Sequence, residues 1–173
     1  MALWFLLVSP LFLAALVMVA DLGYLWLTRI ELENAVAAAA LAGARSPWDG
    51  VQTDEGRARR DAARAAAARY LQANTVAGTN LQLHSAGATP PPEDRALLVE
   101  REVLLGDVDL AQKVFHLAPR RIANRGCHVN AIVEVDSLCL GIEGLYSLEA
   151  AATAVNEGDE VNVYLVRVEA FEP

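Results

Sequence analysis

The stretch DLGYLWLTRIELENAVAAAALAGA, residues 21–44, decides the fold, because it contains no helix breaker and follows Ala2–Ala20, a run without Lys, Arg, Asp or Glu. Within it, apolar residues recur at Leu22, Leu25, Trp26, Ile30, Leu32, Val36 and Leu41, with Arg29, Glu31 and Glu33 between them. That spacing is the signature of an amphipathic helix. The upstream run is about as long as one helical crossing of the hydrocarbon core requires. Together the two predict a single helix from Leu3 to Arg45, with Pro10 tolerated where membrane or bundle packing absorbs a kink. At 1.5 Å per residue this rod is about 65 Å long, roughly twice the hydrocarbon thickness, so half of it must lean on something besides lipid. Ala35–Ala44 suits close approach of another backbone, since alanine holds a helix while projecting little from it. Gly43, followed by Ser46-Pro47, is expected to end the helix.

Outward from this segment, the composition divides the chain in two. Of its 173 residues 54% are apolar, and the part from Asp21 onward holds every charge, with a formal balance of -8. A phosphate backbone would be repelled by such a surface, so nucleic acid is not an expected partner. Ala2–Ala20 lacks the basic flank of a secretory signal, and Met18 stands where a small residue should precede cleavage, so the run reads as a retained span.

Thr53-Asp54-Glu55 predicts the capped start of a second helix over about 53–73, in which Ala65–Ala68 offers a small-residue face. Arg57, Arg59, Arg60, Arg64 and Arg69 flank that face, and Asp54, Glu55 and Asp61 are their expected partners on a solvated surface. From Asn80 onward the pattern turns to short alternating segments. Leu81–His84 alternates, GATPPPEDR is a loop, and Ala96–Leu105 reads as a strand. Gly106-Asp107 and Lys113 are expected to bracket a hairpin that returns along Val114–Leu117. His128–Val135 and Glu160–Glu169 alternate clearly as strands, while Ala-rich Leu145–Val155 fits neither template. The expected class is α+β: a long hydrophobic helix over 1–45, and a globular domain over 46–173 in which the second helix packs on a small, mostly antiparallel sheet over 80–173.

No nucleophile elbow, phosphate loop, zinc-protease pair or dinucleotide fingerprint is present, so no enzymatic activity is expected. His84, His116 and His128 have no partners at metal-ligand spacing, and the pairs Asp107/Asp109 and Glu157/Asp159 supply too few oxygens for a calcium loop. Cys127-His128 lacks the earlier cysteine of a haem attachment site, because Asn124 stands in its place. No cofactor, metal or small-molecule substrate is therefore expected.

Cys127 and Cys139 permit a disulfide in an exported chain. An intact strand over His128–Val135 carries the chain roughly 26 Å from Cys127, and the next four steps recover at most about 14 Å. A disulfide needs Cα atoms within about 7 Å. Either the strand bends, or the cysteines pair between subunits, or they are free.

The boundary segment LVMVADLGYLWLTRIELENAVAAAALAGAR, residues 16–45, resembles the N-terminal region of the TadE/TadG-like proteins of tight-adherence (Flp) pilus systems. The matching elements are the triplet Asp21-Leu22-Gly23, then Tyr24, Arg29, the block Glu31-Leu32-Glu33-Asn34-Ala35 and the tail Ala40-Leu41-Ala42-Gly43-Ala44. More loosely, ARAAAARYLQAN is similar to the family's second helix, GDVDLAQKVFHL to its hairpin with Val108 in place of a tryptophan, and EAAATAV to a late Ala-Thr-Ala segment. With Met1 counted as the mature start, Phe5 occupies the place of the docking glutamate of pilin-like members.

The resemblance implies a single-pass anchor in the cytoplasmic membrane with its globular part outside. It further implies a structural, pilin-like subunit that polymerises through its N-terminal helix into an extracellular filament with adhesive function. The alternatives are a minor pilin or assembly accessory outside the filament bulk, and a tethered periplasmic ligand-binding domain. Expected partners are copies of the chain, the pilus-assembly machinery and, before assembly, the membrane. Close helix packing places the assembly surface on Phe5, Phe12, Asp21, Tyr24, Arg29, Asn34, Ala35, Ala39 and Gly43, with Arg29 of an adjacent copy as the cation for Asp21.

Overall fold

The computed structural model describes residues 2–48, 53–80, 103–117, 124–139, 146–158, 160–164 and 167–168, and of residues 2–7, 79–80 and 167–168 it describes the backbone alone. In chain order the elements are α1 (Ala2–Arg45), α2 (Asp54–Ala73), β1 (Thr75–Val76), β2 (Thr79–Asn80), β3 (Val103–Asp109), β4 (Val114–Leu117), β5 (Arg125–Val135), β6 (Tyr146–Asn156), β7 (Val161–Tyr164) and β8 (Arg167–Val168). The class is α+β, as expected. The expected segments Leu81–His84, GATPPPEDR and residues 96–102 lie outside the described residues.

α1 is a single helix of 44 residues with Pro10 inside it. Ser46 closes it: its N–H donates to the Gly43 carbonyl at 3.3 Å and its hydroxyl to the Ala42 carbonyl at 3.0 Å. Asn156 Nδ2 donates to the Ala44 carbonyl at 3.2 Å. These bonds satisfy carbonyls that a helix terminus would otherwise leave orphaned. Gly43 is therefore not the terminator it was expected to be. It keeps an ordinary helical backbone, and its reason for being glycine is the close approach of β5 described below. α2 starts as its sequence predicts, with Thr53 Oγ1 accepting from the Gly56 N–H at 3.1 Å.

β3 to β8 form one six-stranded sheet in the order β7-β6-β5-β3-β4-β8, antiparallel except for the two-residue parallel pairing of β4 with β8. Its backbone is the long ladder between β5 and β6, in register from Arg125↔Asn156 to Val135↔Tyr146. Two expectations are corrected here. Gly106-Asp107 does not begin a turn: both residues lie in β3, opposite Leu117 and His116, and the turn comes after Asp109. A Cβ at Gly106 would stand 2.2 Å from the His116 carbonyl oxygen and 2.8 Å from the Phe115 ring, so the strand needs glycine to let Phe115 fold over it. Likewise, Glu160–Glu169 is not one strand but contributes β7 at one edge and β8 at the other.

That division fixes the shape of the sheet. Tyr164 and Arg167 are three steps apart, a reach of at most about 11 Å. A flat six-stranded sheet would hold its edge strands roughly 24 Å apart. The sheet is therefore rolled, and within the roll Val108, Phe115 and Val155 form a buried cluster with Leu104, Leu117 and Tyr164 packed against it. The other face carries the main core. There α1 lies over β5, β6 and β7, α2 lies against α1 and β3, and Leu32, Val36, Ala39, Ala67, Leu71, Cys127 and Val129 are all buried. Each large side chain among these gains about 1.5–3 kcal/mol from leaving water.

A candidate assembly surface on the N-terminal helix

α1 is not the same helix along its length. Asp21, Thr28, Leu32, Ala35 and Ala39 fall at helical spacing on one stripe, and all five are buried against the chain's own head. Before Asp21 no described side chain is buried. Leu11 is 73% exposed, Phe12 67%, and Leu16 and Val19 are similarly open. This apolar half rises out of the folded head and needs an environment other than water. Among the described residues, one helix, Val8–Arg45, is long and apolar enough to cross a membrane.

The expected interface residues divide accordingly. Phe5 lies where only the backbone is described. Phe12 is on the open half, Tyr24 is half-buried beside the head, and Arg29 and Asn34 are exposed. Arg29 pairs within its own helix, Nε to Glu33 Oε1 at 3.0 Å, an exposed bridge of the kind that contributes little. Ala35, Ala39 and Gly43, expected against neighbouring helices, are buried inside the chain instead. A Cβ on Gly43 would stand 2.4 Å from Cys127 Sγ and 3.4 Å from the Ala67 Cβ. The small-residue tail of α1 is thus used to bring β5 and α2 close.

Asp21 is 5% exposed and marks the level at which the helix meets the head. Its carboxylate accepts from the Ser137 hydroxyl at 2.7 Å and from the Cys139 N–H at 3.1 Å. These partners are more than a hundred residues away, so no local pattern announces them. A second tie lies higher, where the Ala77 N–H donates to Glu31 Oε2 at 3.0 Å and holds the β1–β2 turn to α1.

The two cysteines are free thiols, Cys127 buried and Cys139 exposed. Cys127 sits by Gly43 and Cys139 by Asp21, positions separated along α1 by about 33 Å at the helical rise, so the fold does not bring the sulfurs together. Burial pushes the Cys127 thiol up to about 12, leaving it inert near neutrality. Partial desolvation and the Asp21 carboxylate beside it push the Cys139 thiol up as well. Burial lowers His128, whose Nδ1 is hydrogen-bonded with Thr153 Oγ1 at 2.8 Å across the β5–β6 ladder. Tyr164 is raised by donating to Glu157. Among the described residues no three His, Cys, Asp or Glu side chains converge to hold a metal.

Two of the α2 arginines take expected carboxylate partners: Arg59 bonds Glu55, and Arg64 bonds Asp61 at 3.2 Å, while Arg69 donates to the Ala65 carbonyl at 3.3 Å. What the molecule offers outward is therefore the open half of α1, an apolar rod continuous with a folded head.

Residues 1–46 match the family model of Flp pilus-assembly TadE/G-like proteins. That span covers the open half of α1, the Asp21 tie and the small-residue tail. No curated protein and no solved structure matches the chain.

Proposed function

We propose that this chain is a membrane-anchored, pilin-like structural subunit of a Flp-type pilus system, inserted in the cytoplasmic membrane through the open half of α1 and carrying its head outside. The observation that carries the reading is the division of one continuous helix into an apolar half without intramolecular cover and a half built into the head's core. An uncovered apolar rod has two compatible settings: acyl chains, and a bundle of like helices. The same surface serves both in turn, so the subunit moves from bilayer to filament without refolding its head. In this reading residues 1–45 are the anchoring and assembly element, 46–173 the head, and residues 28–45 belong to the core of both.

The test is fractionation. Filaments sheared from cells that assemble the pilus should contain the chain as a repeated subunit, and Leu16→Glu should remove it from filaments while the head stays folded. Recovery of the chain in the membrane fraction alone, with filaments of normal composition lacking it, would overturn polymerisation. That outcome is the second reading, a minor or accessory subunit that stays in the membrane. One observation favours it: Ala35, Ala39 and Gly43, the small residues suited to close packing between copies, are already occupied inside the fold.

A further inference from the structure

The span and the head are tied so closely that the position of one fixes the other. The charge-free run Ala2–Ala20 is helical throughout and measures about 29 Å at 1.5 Å per residue, against about 30 Å for the hydrocarbon core. It has no slack. A tilt of about 20° shortens its vertical extent by only a few per cent. Asp21 therefore stands at the lipid boundary. Through Ser137 and the Cys139 N–H its carboxylate holds the loop that follows β5 at the same level.

Between those two anchor points sits Leu138, 60% exposed although large and apolar. Trp26, 71% exposed, lies about 7 Å further along α1. That is the depth of a headgroup layer, where indole rings are favoured because one part is apolar and the other wet. Leu22 is also exposed, on the same short stretch of helix. A head held clear of the bilayer on a linker would have no use for these side chains at its foot.

We propose that residues 136–139, through exposed Leu138, rest in the interfacial layer of the bilayer that also holds Trp26, so that the head sits on the membrane as a second, shallow contact. The inference rests on the membrane-anchored reading. Its occupant is the lipid surface itself, because the contact is continuous with the span and its depth is set by the Asp21 tie. With acidic Asp136 on the loop and a net charge of -8, a zwitterionic surface is the fitting partner.

The full-length chain, reconstituted in phosphatidylcholine vesicles, would be labelled at Cys139 with an environment-sensitive fluorophore; buried Cys127 does not compete. Two reference labels are placed in a Cys139→Ser background, Gln112→Cys on the distal β3–β4 turn and Leu16→Cys in the span. The expected result is a blue-shifted Cys139 label quenched by lipids brominated just beneath the headgroup. The Gln112→Cys label should stay water-like, and Leu138→Glu should return the Cys139 label toward it. If the Cys139 label behaves like the Gln112→Cys label while the Leu16→Cys label is quenched by deeper bromines, the foot does not touch lipid and the inference fails with the anchor intact. If the Leu16→Cys label is unquenched too, the anchored reading fails first. A blue-shifted, unquenched Cys139 label that depends on the protein-to-lipid ratio assigns the foot to a second copy and overturns the proposal.

Discussion

At the scale of single residues, the closest approach of helix to sheet among the described glycines is Gly43 against Cys127. Adding a methyl group in a helix interior normally helps by about 1 kcal/mol relative to glycine. Here the new Cβ would stand 2.4 Å from Cys127 Sγ and 3.2 Å from Cys127 Cβ, inside a core where overpacking typically costs about 1–3 kcal/mol. The clash should win. Gly43→Ala is expected to lower the urea midpoint, and Cys127→Ala added to it should recover part of the loss by removing the nearer sulfur atom. A single variant at least as stable as the parent would mean the helix and strand are not so close. A second residue-level expectation concerns His128, whose neutral form the fold favours. The unfolded chain takes up the proton more readily, so this contribution is complete above the ordinary value of 6.5 and is lost as pH falls below it. Stability should therefore decline between neutral and mildly acidic pH, and the decline should be shallower in His128→Gln when both are followed by denaturant titration at matched ionic strength.

Among the elements, the Asp21 tie makes the clearest prediction. Asp21→Ala leaves the Ser137 hydroxyl and the Cys139 N–H without this acceptor, a cost of about 1–3 kcal/mol for each group kept from water. Because the loss falls on the loop after β5, amide exchange at 136–139 and alkylation of Cys139 should quicken while protection of the β5–β6 ladder persists. Uniform loss of protection would instead make the tie part of the global core. The elements also show what was legible in the sequence. α1 and α2 were readable because long runs of helix formers and the Thr53 cap act locally. β6 was not, because Ala150, Ala152 and Ala154 have poor strand propensity and give no β signal. They are alanines because α1 lies over them, and a helix rich in small residues comes close to a strand rich in small residues. The same alanines of α1 were expected to meet other copies for the same physical reason: a small face states that something approaches, not what. Asp21's partners and the rolling of the sheet depend on contacts across more than a hundred residues and on a link of only two residues between β7 and β8, which no periodicity encodes.

For the whole molecule, the decisive fact is that the second half of α1 is shared between rod and head. A chain beginning at Asp21 should fold to a soluble head with its β5–β6 ladder intact, whereas one beginning at Ser46 loses Leu32, Val36, Ala39 and Ala40 from the core and should be unfolded or molten by circular dichroism and amide exchange. A well-ordered fragment starting at Ser46 would show that the sheet and α2 suffice alone. The continuity of that helix also has a mechanical meaning. Because one helix runs without interruption from the lipid-facing to the head-facing part, a tug on the distal end travels directly into the anchor. The load is carried in shear by side chains such as Leu32 and Val36 rather than absorbed by an uncoiling tether. Under tension the molecule should behave as a stiff strut that yields abruptly, by slippage of the rod beneath the sheet or by its withdrawal from the bilayer, with little stretching beforehand.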